Sequence, residues 1–266
     1  MSDPQYAIEV NNLVTHYGTR KILDDISFTA RQGEVMVIMG GSGSGKSTLL
    51  RHLLGLNRPT SGSIKLLGKD ITQLSADAMF DLRKNMGVAF QGGALFNSMT
   101  VGENVELPLR EHTQLDDNTI RIMSRMKLEV VNLAGFENLM PAELSGGMIK
   151  RAALARAIVM DPRLLFFDEP SAGLDPVVSA ELDELILTLR DAMNMTIVVV
   201  THELESAFKI ADCITVLDHG RILMSDSVDK VRASDNPRIK SLLNRTPRND
   251  AINPEEYLER LTREIF

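Results

Sequence analysis

The sequence feature that most constrains the fold is a glycine-rich loop between an apolar run and a helical pattern. Residues 40–47 read Gly-Gly-Ser-Gly-Ser-Gly-Lys-Ser and match the pattern G-x-x-x-x-G-K-[S/T]. The preceding run, Val35–Met39, is typical of a strand that is buried on both faces. The residues that follow the loop, 46–56, have the periodicity of a helix. A strand, a glycine loop and a helix in this order predict an α/β architecture with a parallel sheet.

The residues of this loop indicate phosphate binding rather than a flexible turn. Glycines allow backbone N–H groups to point inward at phosphate oxygens, and the start of the following helix adds positive potential. We expect Lys46 to reach the β- and γ-phosphates of a nucleotide and the Ser47 hydroxyl to bind Mg²⁺. The residues predicted to bind the nucleotide are Gly40, Gly41, Ser42, Gly43, Ser44, Gly45, Lys46, Ser47 and Thr48.

Polar residues follow other predicted strands of the same sheet. The additional apolar runs lie at 87–90, 164–167 and 196–200. Because the carboxyl ends of parallel strands meet at one edge, Asp168, Glu169 and His202 are expected to lie beside the loop. Asp168 suits Mg²⁺ binding, Glu169 suits polarising an attacking water, and His202 suits contact with a γ-phosphate. The alternatives are solvated acids at a strand end and a packed or capping histidine.

The rest of the chain predicts two attachments to this sheet. Residues 7–10, 21–28 and 61–67 form short alternating runs, which predict an antiparallel sheet at its edge. Residues 98–160 show helical patterns without a strong strand run and are interpreted as a separate helical lobe.

Composition limits the possible classes of protein. Apolar runs are too short to cross a bilayer, and the first residues do not have the pattern of a secretory signal, so we expect a cytoplasmic protein. The single cysteine, Cys213, excludes an internal disulfide and a cysteine-based metal cluster. A net charge of -7 argues against nucleic acid as a partner.

A second glycine motif, Leu144–Met148, reads Leu-Ser-Gly-Gly-Met and precedes a helical pattern rich in Ala and Arg. Helix-start N–H groups near Ser145, Gly146 and Gly147 can bind an anion, although Ser-Gly-Gly alone is a common loop. The order of motifs resembles that of the nucleotide-binding subunits of ABC transporters over residues 7–225. The motifs are Tyr17, Gly40–Ser47, Gln91, Leu144–Met148, Leu164–Glu169, Ser171–Pro176 and His202.

This resemblance implies an α/β P-loop NTPase of the ABC ATPase type, with an antiparallel β subdomain and an inserted helical subdomain. The implied divisions are a RecA-like core with the β subdomain at 1–91 and 161–225, a helical subdomain at 92–160 and a C-terminal extension at 226–266. The implied activity is hydrolysis of ATP with Mg²⁺, coupled to transport. Catalysis would use Lys46, Gln91, Glu169 and His202, and the Mg²⁺ ligands would be Ser47, Gln91 and Asp168.

The resemblance also implies that two copies pair head to tail around shared ATP. Tyr17 would stack on adenine, and Gln91 would sense Mg²⁺ and the attacking water. Ser145 and Gly147 would bind the γ-phosphate of the partner's ATP, and Asp175 would signal across the homodimer. The alternatives for the first two are a strand-turn aromatic and an ordinary polar cap.

A narrower resemblance concerns the transported cargo. Residues 90–96, 99–105 and 144–157, with Met148 where most ABC ATPases carry glutamine, resemble the ATPases of MCE-linked lipid transporters such as the Mla system. Gly92-Gly93 departs from the Ser-Gly expected there. The resemblance implies phospholipid transport between bacterial inner and outer membranes, which maintains outer-membrane lipid asymmetry. It implies a membrane permease, an MCE-domain lipid-binding protein and often a STAS-domain protein as partners, at the cytoplasmic face of the inner membrane.

Several alternatives remain open. One alternative is the ATPase of an importer for small polar solutes such as amino acids. Another is a soluble ABC protein that acts on ribosomes or DNA, but the single ATPase core and the acidic charge argue against it. Residues 94–96 could form a socket for a permease helix or could fill the lobe's core. Asn253–Glu256 predicts a helix start, and the apolar residues after it predict docking on the other subunit, an accessory protein or the chain's own domain.

Overall fold

The computed structural model describes residues 6–246. Within that range, residues as far as Ala233 form one compact unit and those from Ser234 onward belong to a second. The strands are β1 (Tyr6–Tyr17), β2 (Arg20–Arg31), β3 (Val35–Met39), β4 (Ser61–Leu66), β5 (Lys69–Asp70), β6 (Met86–Ala89), β7 (Leu164–Asp168), β8 (Thr196–Thr201), β9 (Cys213–Asp218) and β10 (Arg221–Asp226). The helices are α1 (Lys46–Leu53), α2 (Ala76–Arg83), α3 (Val101–His112), α4 (Asp117–Val130), α5 (Gly146–Ile158), α6 (Pro176–Met193), α7 (Leu204–Ile210), α8 (Val228–Arg232) and α9 (Pro237–Leu243).

The larger sheet has six strands in the order β10-β9-β3-β8-β7-β6. The five strands from β9 to β6 run parallel, and β10 pairs with β9 in the antiparallel direction at the edge. Every residue of β3 and β8 is buried, as expected for strands covered on both faces. The predicted parallel α/β sheet is confirmed, and β9 and β10 extend it beyond the four predicted strands.

The smaller sheet is antiparallel, with the order β2-β1-β4-β5, as predicted. Its first two strands have 12 residues each and are longer than the predicted runs. A bulge explains the difference. The register shifts between Val10 and Leu13, Asn12 has φ 47°, and the Asn12 side chain donates to Oδ1 of Asp25 at 2.7 Å. The bulge interrupts the alternation of apolar and polar residues while the strand continues.

One hydrophobic core joins the two sheets. Leu13 of β1 and Ile26 of β2 belong to the same buried cluster as Leu49 of α1 and Phe166 of β7. The loop between β3 and α1 is therefore anchored at both ends by elements that share a packed core.

The segment between β6 and β7 is helical, as predicted for residues 98–160. Helices α3, α4 and α5 pack on one another, and α5 also packs on β6. Helix α3 starts with a capping box, in which the Thr100 hydroxyl accepts from the Glu103 N–H and the Glu103 carboxylate accepts from the Thr100 N–H. No helix within residues 6–246 is both long enough and apolar enough to span a membrane. The helix start predicted at Asn253 and the apolar residues Leu258, Leu261 and Ile265 lie outside the described residues.

Candidate functional site

The glycine-rich loop joins β3 to α1 and is held close to neighbouring backbone. A Cβ atom on Gly40 would lie 2.1 Å from the carbonyl oxygen of Leu217, so a larger residue would displace the loop. Gly45 has φ 106° and precedes α1, and a Cβ there would lie 2.8 Å from the Leu23 side chain. The close approach of the backbone at these two positions therefore requires glycine.

The loop presents polar groups that suit an anion. Lys46 Nζ donates to the carbonyl oxygens of Gly40 and Gly41 at 2.8 and 3.2 Å. The Oγ of Ser44 is buried and finds no hydrogen-bond partner within residues 6–246. Helix α1 has neither a side-chain cap nor an acidic residue in its first turn, and its first N–H groups lack intrahelical acceptors. A cation, a buried hydroxyl and a helix start around one glycine loop fit a bound phosphate.

Asp168 ends β7 beside this loop. Burial, followed by the charge of Glu169, raises the pKa of Asp168 above its ordinary value, whereas the charges of Lys46 and Arg51 lower it. A divalent cation would favour the ionised carboxylate in the same way as these two side chains do. Between residues 6 and 246, no cluster of three or more His, Cys, Asp or Glu side chains could hold a metal ion. A Mg²⁺ ion at Asp168 would therefore depend on hydroxyl, amide, phosphate and water oxygens, which are ligands that Mg²⁺ accepts.

Glu169 is fixed by the end of the neighbouring strand β8. Its backbone has φ 49°, and its N–H donates to the Val200 carbonyl at 2.8 Å. Oε2 of Glu169 accepts from Thr201 Oγ1 at 3.1 Å, from the His202 N–H at 3.3 Å and from the His202 ring at 2.9 Å. The Glu169 side chain is 15% exposed and that of His202 is 58% exposed. The carboxylate is therefore oriented by three donors, while the His202 ring stays exposed, with its Nε2 at 3.7 Å from Oε1 of Glu203.

The strand order brings the predicted groups to one edge of the sheet. The loop follows β3, His202 follows β8, Asp168 ends β7, and Gln91 lies just after β6. Because these four strands are parallel neighbours, their carboxyl ends face the same side. The structure therefore assembles the strand-end residues as a group.

Gln91 is exposed and opens a loop whose backbone is held by α5. Arg156 donates to the carbonyl oxygens of Gly93 and Ala94 at 2.9 and 2.8 Å. Burial lowers the pKa of Arg156, whose guanidinium is directed into the protein at these carbonyls. Sequence reasoning did not identify Arg156, because its partners are backbone atoms.

Tyr17 lies at the end of β1, on the smaller sheet, with 46% of the residue exposed. Its hydroxyl accepts from Asn57 Nδ2 at 3.1 Å. The backbone carbonyl of Asn57 in turn accepts from His52 Nδ1 at 3.0 Å, and His52 belongs to α1. The exposed Tyr17 ring is thus connected to the helix that follows the phosphate loop.

The Ser-Gly-Gly motif lies at the start of α5, outside the strand-end group. The Ser145 side chain caps α5 by accepting from the Met148 N–H at 3.3 Å, and Ser145 and Gly146 are exposed. A Cβ on Gly147 would lie 3.0 Å from Val178 of α6. Asp175 caps α6 and accepts from two backbone N–H groups. The start of α5 is therefore exposed to solvent in this chain.

Comparisons with known proteins agree with this geometry. The family described as ABC transporter matches residues 23–172. The intermembrane phospholipid transport system ATP-binding protein MlaF of Haemophilus influenzae is 42% identical over 239 residues, which make up 90% of this chain and 90% of that protein. The probable ribonucleotide transport ATP-binding protein mkl of Mycobacterium tuberculosis is 42% identical over 238 residues, 90% of this chain and 66% of that protein.

A solved structure shows the same fold. The ATP-binding cassette MJ0796, a dimer in a post-hydrolysis state with ADP and Pi, aligns with a TM-score of 0.77 and 29% identity over 83% of this chain and 98% of that chain. The predicted ABC ATPase fold is confirmed. Because the family match spans more than half of the chain and includes the phosphate loop, this chain belongs to the ABC-transporter family of ATP-binding proteins.

Proposed function

We propose that this chain is the ATP-hydrolysing subunit of a transporter that moves phospholipids between bacterial inner and outer membranes and so maintains outer-membrane lipid asymmetry. The similarity to MlaF carries this proposal. It reaches 42% identity over 90% of both chains and so extends well beyond the phosphate loop. The resemblance of residues 90–96 and of Met148 to the lipid-transport ATPases supports the same cargo.

In the proposed mechanism, the glycine loop and Lys46 bind the phosphates of ATP. Lys46 Nζ, which donates to the carbonyls of Gly40 and Gly41, would donate to phosphate oxygens instead. Ser47, Gln91 and Asp168 would hold Mg²⁺, which would neutralise charge on the β- and γ-phosphates. Tyr17 would offer its exposed ring to adenine.

Glu169 would position the attacking water and take its proton. Three donors converge on Oε2, whereas none of the residues from 6 to 246 donates to Oε1. Oε1 is therefore the atom that would accept a hydrogen bond from water and then its proton. His202 would hold the carboxylate through Nδ1 and contact the γ-phosphate with the other side of its ring.

Two copies of the chain would enclose each ATP. The exposed start of α5, at Ser145, Gly146 and Gly147, would bind the γ-phosphate of the nucleotide held by the second copy. Asp175, at the cap of α6, would carry the signal across the pair. The dimeric state of the cassette MJ0796 supports this arrangement. Because ATP bridges both halves only when they are closed, binding would favour closure and hydrolysis would allow reopening.

Residues near Phe96 would contact a permease. Phe96 is 51% exposed and Ala94 is exposed, so these two side chains do not fill the interior of the helical lobe. Buried Asn104 holds this segment: its Oδ1 accepts from the Phe96 N–H at 2.7 Å, and its Nδ2 lies 2.9–3.2 Å from the carbonyl oxygens of Phe96, Met99 and Thr100. An exposed aromatic on a fixed backbone is suited to receive an apolar helix at a protein interface.

The domain organisation and the partners complete the proposal. The RecA-like core with its β subdomain would occupy 1–91 and 161–225, the helical subdomain 92–160 and the extension 226–266. The homodimer would act at the cytoplasmic face of the inner membrane with a permease, an MCE-domain lipid-binding protein and a STAS-domain accessory protein.

The similarity to mkl favours a second candidate cargo, a ribonucleotide, which falls in the class of small polar solutes. Reconstitution of the full-length chain with its co-purifying membrane proteins would separate the two. We expect ATP-dependent transfer of phospholipid to acceptor vesicles and no ATP-dependent uptake of ribonucleotide. Ribonucleotide uptake without lipid transfer would support the second candidate and contradict the first.

Two variants test the roles proposed for Lys46 in ATP binding and for Phe96 in docking. Lys46→Ala should abolish ATP binding and transfer. Phe96→Asp should reduce recovery of the membrane proteins while ATP binding remains. Phe80→Asp is the matched control, since Phe80 is 48% exposed on α2 and its ring contacts His112 and Lys84 rather than residues 94–96. Equal losses of complex in the two Phe variants would remove Phe96 from the docking surface.

A further inference from the structure

Lys150, on the second turn of α5, is bonded to the backbone of the loop that follows β7. Its Nζ donates to the carbonyl oxygens of Pro170 at 2.5 Å, Ala172 at 2.6 Å and Glu169 at 3.4 Å. An ammonium group has three donors, and here each has a carbonyl acceptor. Within residues 6–246, no other side chain donates to the carbonyls of this loop, residues 169–172.

Backbone hydrogen bonds also hold the 169–172 loop: the Glu169 N–H donates to the Val200 carbonyl at 2.8 Å, and the Leu174 N–H donates to the Ser171 carbonyl at 3.1 Å. Glu169 is held in the left-handed region, and its carbonyl also accepts from the Ala172 N–H at 3.3 Å. The Ser171 Oγ is buried and has no hydrogen-bond partner in the described part of the chain. Lys150 adds the side-chain contact that joins α5 to the backbone of the loop that begins with Glu169.

Further contacts join α5 to the residues after the loop. Arg151 pairs with Glu181 of α6 at 2.7 Å, and the position of Gly147 allows α5 to approach Val178. Lys150 thus lies in a continuous contact between the start of α5, capped by Ser145, and the segment that begins with Glu169.

The partial burial of the Lys150 charge is consistent with a structural role for its hydrogen bonds. Burial lowers the pKa of Lys150, and the charge of Glu169 opposes that effect. A half-buried ammonium directed at neutral carbonyls gives hydrogen bonds stronger than those of a neutral donor. Removal of the Lys150 ammonium group would leave these three carbonyl groups with fewer hydrogen-bond partners.

We propose that Lys150 is a positioning residue that couples the Ser145 end of α5 to the geometry of Glu169. This inference rests on the proposed function, in which Ser145 meets the nucleotide of the partner subunit and Glu169 acts on the nucleotide of its own chain. Movement of α5 on closure of the pair would be passed through Lys150 to the 169–172 loop. Closure at one nucleotide site would then change the position of Glu169 at the other.

The test compares Lys150→Met with Lys150→Arg in the full-length chain. Methionine keeps the length of the side chain and removes the donors, whereas arginine keeps the charge and several donors. We expect Lys150→Met to lower kcat for ATP hydrolysis by about tenfold to a hundredfold, since an error of about 1 Å in a catalytic group can cost a hundredfold. The KM for ATP should stay within about twofold, because the phosphate loop is untouched. Lys150→Arg should restore most of kcat.

A matched control is Lys127→Met. Lys127 also bridges the helical segment to the rest of the molecule, through Asp161 at 2.5 Å, but it does not touch the 169–172 loop. Its kcat should remain near that of the unmodified protein. An equal loss in both variants would show a general effect of lobe contacts and would overturn the proposal.

A double variant separates positioning from general damage. If Lys150 acts through Glu169, Lys150→Met should add little to the loss already caused by Glu169→Gln. Independent losses that multiply, or an unchanged kcat in Lys150→Met, would overturn the inference and leave the proposed ATPase function intact. Full turnover in Glu169→Gln would overturn both the coupling and the catalytic role of Glu169.

Discussion

Nδ1 of His202 lies 2.9 Å from Oε2 of Glu169, and Thr201 adds a hydroxyl donor to the same oxygen at 3.1 Å. The ends of two adjacent strands, β7 and β8, thereby fix one oxygen of a carboxylate and leave the other oxygen available. This is the arrangement required of a base that must hold a water molecule in one direction.

Glu169→Gln should abolish hydrolysis while preserving nucleotide binding. Glutamine keeps the size of the side chain but cannot accept a proton, and general-base catalysis is typically worth about 10²- to 10⁴-fold in rate. We expect kcat to fall by that factor and ATP to accumulate in a closed pair of chains. Single-turnover kinetics and size-exclusion chromatography with ATP would measure both effects.

The control for this variant is Glu205→Gln. Glu205 is an exposed acid in the first turn of α7, three residues beyond His202, so the same chemical change there should leave kcat unaltered. Normal turnover in Glu169→Gln would require a different base.

The pH dependence of Mg²⁺-dependent hydrolysis should report on Asp168. Burial and the Glu169 charge raise its pKa, and Lys46 and Arg51 lower it. Since the ionised carboxylate is the form that binds Mg²⁺, Arg51→Gln should raise the pKa further and move the acid limb of the activity profile to higher pH. Activity on the alkaline side should not change. Arg58→Gln is the control, because Arg58 is exposed and does not contribute to the pKa of Asp168. Identical acid limbs in both variants would contradict the assignment.

Asp183 should make the stability of the protein depend on pH. This residue of α6 is 5% exposed and accepts a hydrogen bond from the Ser206 hydroxyl of α7. Burial raises its pKa, and the Ser206 hydrogen bond and Lys209 oppose the rise. The folded state therefore holds the proton more tightly than the unfolded state does. Its contribution to the free energy of unfolding is complete below the ordinary carboxyl pKa and is lost as pH rises through the raised value.

Asp183→Asn should reduce the dependence of the free energy of unfolding on pH in this range. Asparagine can still accept from Ser206 and carries no charge to desolvate, so the variant should be at least as stable as the unmodified protein at neutral pH. Urea unfolding from below pH 3.8, the ordinary carboxyl pKa, up to neutral pH would measure the difference. Glu111→Gln, an exposed acid on α3, should leave the slope with pH unchanged. A destabilised Asn variant at neutral pH would show that the charge of Asp183 stabilises the fold.

Strands buried on both faces were predictable, because Val35–Met39 and Thr196–Val200 consist almost entirely of apolar residues. The strand β9 was not predicted, since its buried Thr215 interrupts such a run. The structure explains how that polar residue is accommodated. Its hydroxyl lies 2.8 Å from the Ser225 hydroxyl on β10, a pairing that cannot be recognised before the neighbouring strand is known.

The residues of the site also divide into those that the sequence predicts and those that it does not. Asp168, Glu169 and His202 were predictable because each follows an apolar strand, and topology alone brings such residues together. Lys150 was not predictable, because its acceptors are backbone carbonyls, which every residue possesses. Side chains that bind backbone over long sequence separations leave no pattern in the sequence.

His52 of α1 makes two hydrogen bonds whose direction can be assigned. One is to Asn57, which contacts Tyr17, and the other is to Thr15 of β1. The Asn57 carbonyl can only accept, so His52 Nδ1 carries a proton and donates to it. Burial lowers the pKa of His52, which favours the neutral ring, and its Nε2 then accepts from the Thr15 hydroxyl at 2.8 Å. The neutral His52 ring, 0% exposed, is therefore a fixed link between β1 and the helix of the phosphate loop.

Loss of the Tyr17 ring should weaken binding of the base more than binding of the phosphates. Tyr17→Ala should raise the Kd for ATP by about tenfold, since stacking of a base on an aromatic ring is worth about 1–3 kcal/mol. Tyr17→Phe, which keeps the ring, should change it little. His52→Leu should leave the Thr15 hydroxyl and the Asn57 carbonyl without their partner and lower the free energy of unfolding by about 2–4 kcal/mol. Calorimetry with ATP and with tripolyphosphate would separate the effects, because tripolyphosphate lacks a base. If Tyr17→Ala weakened both ligands equally, the Tyr17 ring would not be the adenine platform.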